Sequence, residues 1–241
     1  MARECLPIPR RVAVRAGLLA LLAIAAALIF AGAIDKGAAA IFYVPGRGFP
    51  AADDGLVTAL RSSTRATAYG VGLFLLFALF RRVLLGRPLW GLSRAAVVYL
   101  LAVFLLGPGL LVNGILKEVS GRARPFQVVE FGGARHFSPP FVIADQCPHN
   151  CSFVSGEASL GFAFLAFGFA ARTPRHRRLG FAAGLALGCG FGLLRMAEGA
   201  HFLSDVYFAG LLMAGLAWLL HHWLIECRWL DRLGLWPAAP G

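Results

Sequence analysis

Six apolar runs, near residues 17–34, 68–80, 95–116, 153–171, 179–194 and 203–225, constrain this chain more than any other feature of it. A bilayer core asks for about 20 consecutive apolar residues per crossing helix, and several of these runs fall slightly short. The second and fifth are the most diluted, by Ala and Gly. With 59% hydrophobic and only 15% charged residues, the composition lies far from that of soluble domains. The expectation is an all-α polytopic membrane bundle of about six transmembrane helices. No internal repeat or linker divides the 241 residues, so they read as one domain.

Charge sets the orientation. If both termini and the Arg-rich turns at 81–94 and 172–178 share one side, that side holds 14 of the 23 Lys and Arg residues and should be cytoplasmic. Four of the other nine (Lys117, Arg122, Arg124 and Arg195) fall within two charged constellations rather than scattered loops. The net charge of +11 does not imply a nucleic-acid partner, since no long basic run or aromatic–basic interleaving is present. MARECLPIPRRVAVR, followed by an apolar run and Ala31-Gly32-Ala33, has the order of a signal peptide. The run is long for a signal, and an even number of helices keeps both termini together, so a first helix is the expectation.

Among the cysteines, Cys147 and Cys151 lie in DQCPHNCSF on the outer side, close enough in a turn to form a disulfide. A metal site of Cys147, His149 and Cys151 is the alternative, though no second ligand pair of recognised spacing follows.

Three outer segments carry polar residues that a membrane chain would otherwise avoid. In KEVSGRARP (117–125), Lys117 and Arg124 share a face if the third helix persists past Gly121. Lys117 and Arg122 also read as snorkelling residues that mark the edge of the lipid. In CSFVSGEASLGF (151–162), Ser152 or Ser155 can cap the fourth helix, and Gly156 leaves helix-start amides open to an anion. In GLLRMAEGAHFLSDV (192–206), a last helix starting near Ala200 puts His201 and Asp205 one turn apart. Asp205 then either orients the imidazole or caps the helix.

Lys117, six residues and Arg124-Pro125, then Ser155-Gly156, then Arg195, five residues, His201, three residues and Asp205 together resemble the signature of the type 2 phosphatidic-acid phosphatases. These are integral-membrane lipid phosphatases whose active site is related to that of vanadium haloperoxidases. Two positions depart from the pattern: Glu157 stands where the middle motif has His, and Leu194 where Ser usually precedes the Arg. The resemblance implies phosphoryl transfer without a metal or other cofactor. His201 would attack phosphorus and form a phosphohistidine while Asp205 orients it. Lys117, Arg124, Arg195 and the amides near Ser155-Gly156 would hold the phosphoryl oxygens.

Glu157 would have to act protonated as the general acid, a role worth about 10²–10⁴-fold. A leaving group of low pKa needs less such help. That favours a lipid diphosphate or glycolipid phosphate over a plain alkyl monoester. The implied partners are the bilayer and a phospholipid or glycolipid phosphate at the periplasmic face of a bacterial inner membrane. Candidates are lipid A phosphates, undecaprenyl diphosphate and phosphatidylglycerol phosphate. A lipid-phosphate binder with weak turnover is the alternative. Phe126, Phe131, Phe137 and Phe141 either dip into lipid or pack the outer loop.

Overall fold

The computed structural model describes residues 10–85 and 93–227. Arg3, Arg87, Arg228 and Arg232, which contribute to the orientation expectation, lie outside the described residues, as does the start of the signal-like segment. The described chain is helical, with two isolated bridges and no strand. Its helices are α1 (Arg10–Ala40), α2 (Gly55–Leu84), α3 (Arg94–Val119), α4 (Gly156–Ala170), α5 (Pro174–Ala197) and α6 (Leu203–Glu226). Four stretches, Gly55–Arg82, α3, α5 and α6, are long and apolar enough to cross a membrane.

The helix starts follow local chemistry. Asp54 accepts hydrogen bonds from the Leu56 and Val57 amides at 2.8 and 3.0 Å, so α2 begins well before the apolar run at 68–80. Ser93 caps α3, and Thr173 caps α5 with Pro174 in the first turn, where its missing N–H costs nothing. Around Pro108, α3 widens into π-type turns over Leu105–Leu116, and Asn113 Nδ2 donates to the Pro108 carbonyl at 2.6 Å.

The core lies where α4 packs against α5 and α6, with α3 alongside. Tyr99, Leu100, Phe162 and Met213 are buried there, and the Tyr99 hydroxyl donates to the Ala217 carbonyl at 3.0 Å. Glycine allows close backbone approach: a Cβ on Gly161 would lie 2.5 Å from the Gly188 nitrogen. The Ala and Gly that dilute the fifth apolar run thus let two backbones meet, the small-residue packing common between membrane helices. Leu73, Phe77, Leu105, Leu185 and Trp218 point outward, as lipid contact requires.

The C-terminal ends of α1, α3 and α5 and the N-terminal ends of α2, α4 and α6 carry the site residues, so all of them gather at one end of the bundle. The outer loop is tied down there. Ala144 N donates to Ser120 O and Gln146 N to Gly121 O, each at 3.0 Å. Gly121 has φ +59°, and a side chain on it would collide with the Ala144 carbonyl. Cys147 and Cys151 form a disulfide with Cα atoms 5.6 Å apart, and His149 Nδ1 pairs with Glu118 at 3.0 Å. Those thiols are therefore not metal ligands. Of the loop phenylalanines, Phe137 packs on Phe202 and Phe141 on Phe153 and Phe208, while Phe131 is buried against Phe49; Phe126 remains 49% exposed.

Candidate active site

Asp205 organises the site. The last helix starts at Leu203 rather than near Ala200, so His201 stands ahead of it, and Asp205 in the first turn reaches back. Its Oδ2 accepts from the Phe202 amide at 2.8 Å and from the Ser152 hydroxyl at 2.6 Å. The same oxygen lies 3.5 Å from His201 Nδ1. Asp205 thus caps the start of the helix with the same oxygen that faces the imidazole, so the two alternatives in the sequence do not exclude one another. His201 is 1% exposed, and neither ring nitrogen has a hydrogen-bond partner among the described residues. Contacts this long are common in resting sites and tighten when a ligand arrives.

The other Asp205 oxygen, Oδ1, accepts from Arg122 Nη1 at 2.5 Å. Arg122 also holds Asp35 Oδ2 from α1 at 2.7 Å, the Ser204 hydroxyl at 2.9 Å and the Ser138 carbonyl at 2.8 Å. At 1% exposure it does not snorkel, and its cation is consumed in fixing Asp205. Burying a guanidinium is tolerable only when its charge and donors are matched in this way.

Lys117 and Arg124 meet by a different route from the one expected. The helix ends at Val119, and Arg124 is extended, with φ −86° and ψ 157°, so a continuing helix does not align them. Asn150 does. Lys117 Nζ donates to its Oδ1 at 3.3 Å, and Arg124 Nη2 to its carbonyl at 2.7 Å. Asn150 adopts φ 51°, a left-handed conformation that Asn tolerates better than most residues. A Cβ on Gly156 would lie 3.0 Å from Lys117 Nζ, so the bare backbone there admits the ammonium to the start of α4. Burial and the neighbouring Arg195 guanidinium both pull the Arg124 pKa below its ordinary value, a sign that the cations crowd and that an anion would relieve them.

Ser155 is the cap of α4: its hydroxyl accepts from the Ala158 amide at 3.4 Å, and its own N–H donates to the Asp205 carbonyl at 3.2 Å. Glu157, one residue into α4, places Oε1 3.3 Å from Arg195 Nε and Oε2 3.8 Å from His201 Nε2. Arg195 also pairs with the buried Glu198, whose Oε1 lies 3.5 Å from Arg61 Nη1.

All eight expected site residues, Lys117, Arg124, Ser155, Gly156, Glu157, Arg195, His201 and Asp205, come together. Asp35, Arg122, Asn150, Ser152, Glu198 and Ser204 join them without having been singled out as site residues in the sequence. Glu198 and Arg122 sit inside the quoted motifs, and the cost of a charge at a membrane edge was their only signal.

A cluster of cations around a buried imidazole–carboxylate pair, at one end of an apolar helix bundle, makes a candidate anion site in a membrane protein. The chain belongs to the PAP2 superfamily, whose family model matches residues 95–229. It is 42% identical over 128 residues to a lipid A 4'-phosphatase of Francisella tularensis subsp. novicida, covering 53% of this chain and 58% of that protein. It is 38% identical over 182 residues to a lipid A 4'-phosphatase of Rhizobium leguminosarum, covering 74% and 76%. A Rhizobium etli protein of the same name is 37% identical over 161 residues, covering 66% and 62%. The chain thus spans under two thirds of the Francisella and Rhizobium etli relatives. No solved structure matches it significantly.

Proposed function

We propose that this protein removes a phosphate from lipid A, or from a closely similar glycolipid phosphate, through a phosphohistidine on His201. The observation that carries this reading is the position of the Glu157 carboxylate. It is an anion lodged between Arg195 and the Nε2 of an imidazole whose other nitrogen faces Asp205. A phosphoryl group in that place would meet Arg195, Lys117, Arg124 and the first amides of α4, with Nε2 aimed at phosphorus. A protein that only binds lipid phosphate needs the cations but has no use for a buried His201–Asp205 pair, so turnover is the better reading.

Bond by bond, the Nε2 lone pair attacks phosphorus and the P–O bond to the lipid headgroup breaks. The leaving oxygen takes a proton from Glu157. Water, deprotonated by the resulting Glu157 carboxylate, then attacks phosphorus; the P–N bond breaks, its electron pair returns to Nε2, and phosphate leaves with His201 restored. In the resting site the ion pair with Arg195 favours Glu157 as a carboxylate. An incoming phosphate dianion competes for Arg195 and repels that charge, which favours protonation. The anomeric oxygen of a sugar phosphate, or the lipid phosphate of a diphosphate, leaves with little assistance. From a phosphate on a 4' carbon the sugar oxygen leaves as an ordinary alkoxide and depends on the Glu157 proton.

The relatives' names favour lipid A over undecaprenyl diphosphate and phosphatidylglycerol phosphate. The alternation of helix ends at the site supports six crossings, with α1 and the shorter α4 joining the four longer spans. The basic turn at 172–178 lies at the far end of α5, which supports a site on the periplasmic face of the inner membrane.

Phosphate release from the detergent-solubilised protein tests this, with lipid A, undecaprenyl diphosphate and phosphatidylglycerol phosphate as substrates, each with and without a chelator. The expected result is fastest release from lipid A, unaffected by the chelator and lost in His201→Ala while the variant still unfolds cooperatively. Appreciable turnover by His201→Ala, or loss of activity on chelation, overturns the mechanism.

A further inference from the structure

Next to the anion-binding centre is a cavity of about 470 Å³ that shares Arg124 and Arg195 with it. Its remaining lining includes Arg47, Phe49, Asp53, Arg61, Phe126 and Glu198. Four of these, Arg47, Phe49, Asp53 and Arg61, precede the segment that matches the family, which begins at residue 95. They come from the α1–α2 connection and the first turns of α2. A tight turn fixes Arg47: Val44 N donates to Gly48 O at 2.8 Å and Gly48 N to Val44 O at 2.9 Å, leaving Arg47 exposed at its tip.

The lining combines chemistries that a bare phosphate does not need. Arg47 and Arg61 are donors beyond the phosphate-binding cations. Phe126 offers a half-exposed ring at the cavity wall. Glu198 is 4% exposed, yet among the described residues its Oε1 has no hydrogen-bond partner, only the Arg61 ion pair at 3.5 Å. A buried acceptor left unsatisfied is costly and rare; a hydroxyl group would satisfy it. The volume lies in the ordinary range for small-molecule sites.

We propose that this cavity receives the sugar ring that bears the scissile phosphate, so that the α1–α2 segment makes the site specific for phosphorylated glycolipids. Glu198 Oε1 accepts a ring hydroxyl, Arg47 and Arg61 donate to oxygens of the ring or its substituents, and Phe126 covers its apolar face. A glycerol-based phosphatidic acid has no hydroxylated ring to fill the cavity. The assignment rests on the phosphatase reading for its kinetic consequence but not for binding.

Two measurements test it. In mixed micelles, kcat/KM is compared for a phosphorylated glucosamine lipid and for phosphatidic acid, in wild type, Arg47→Ala and Arg47→Ala/Phe126→Ala. The glycolipid-to-phosphatidic-acid ratio should fall about tenfold in Arg47→Ala, the size of one lost charge-assisted hydrogen bond, and further in the double variant, mainly through KM. A ratio within about twofold of wild type in the double variant refutes the assignment. In the second, a water-soluble glucosamine phosphate and inorganic phosphate are titrated into His201→Ala protein with the α1–α2 segment intact and with both cavity substitutions. Tighter binding of the sugar phosphate, lost on substitution, is expected; equal binding of the two ligands refutes the proposal. If no lipid is turned over but the binding preference holds, the phosphatase reading fails and the sugar site stands.

Discussion

Replacing Arg122 with Met is the sharpest test of how the site is held together. Methionine keeps much of the volume against the Phe137 and Phe202 rings, whose centroids lie 5.4 and 4.6 Å from the guanidinium carbon. It removes the cation shared by Asp35 at 2.7 Å and Asp205 at 2.5 Å, both carboxylates being at most 1% exposed. Removing one member of a buried ion pair costs about 3–5 kcal/mol, because the charge left behind has no water to turn to. For a chain of this size that corresponds to a fall of roughly 6–20 °C in Tm. Thermal unfolding in one fixed detergent, followed by tryptophan fluorescence, measures it.

A control separates charge from packing. Adding Asp35→Asn to Arg122→Met removes one of the two stranded carboxylates and should restore about 1–3 kcal/mol, a non-additive coupling between neighbours. A Tm for Arg122→Met within about 2 °C of wild type, roughly the effect of 1 kcal/mol or less, refutes the account of Arg122 as the cation that holds Asp205. So does a double variant whose two losses simply add.

Glu157→Gln, which cannot donate a proton but keeps its size, should lower kcat on a 4'-phosphorylated lipid by about 10²–10⁴-fold and on a diphosphate by much less; steady-state kinetics on both substrates checks this. The same variant should bind inorganic phosphate more tightly, because Arg195 loses a resident anion, and product-inhibition constants report it. Asn150→Ala should raise KM more than it lowers kcat, since Asn150 holds Lys117 and Arg124. Gly161→Ala should destabilise the protein by about 1–3 kcal/mol because its Cβ would press on the Gly188 backbone, which a melting curve detects.

Much of the site was legible in the sequence because its chemistry is written in short spacings: Arg195, His201 and Asp205 lie within one turn-and-helix segment, and Ser155-Gly156 marks a helix start. What was not legible depends on long separations. Arg122 resembled any arginine at a lipid boundary, since its partners Asp35 and Asp205 lie 87 and 83 residues away. Asn150 carries no motif, and its role appears only when the outer loop folds back over Lys117. Gly161 and Gly188 lowered the apparent hydrophobicity of their runs while letting two helix backbones approach closely. Composition records the missing methyl groups but not the neighbour that needs the space. The start of α2 was missed because Asp54 extends that helix into polar sequence beyond the apolar run. The clearest departure lay at His201, which stands one residue ahead of the helix cap, so that Asp205 can cap the helix and face the imidazole at once.

Rapid-quench labelling looks for the bond on which the chemistry depends. Wild-type protein mixed with lipid carrying a radiolabelled phosphate and stopped in alkali should hold label on the peptide containing His201, stable to base and released by acid, forming and decaying at the rate of turnover. Substituting His201 with Gln should abolish it. Turnover at full rate with no label on the protein, or label that survives the His201 substitution, contradicts an imidazole aimed at phosphorus.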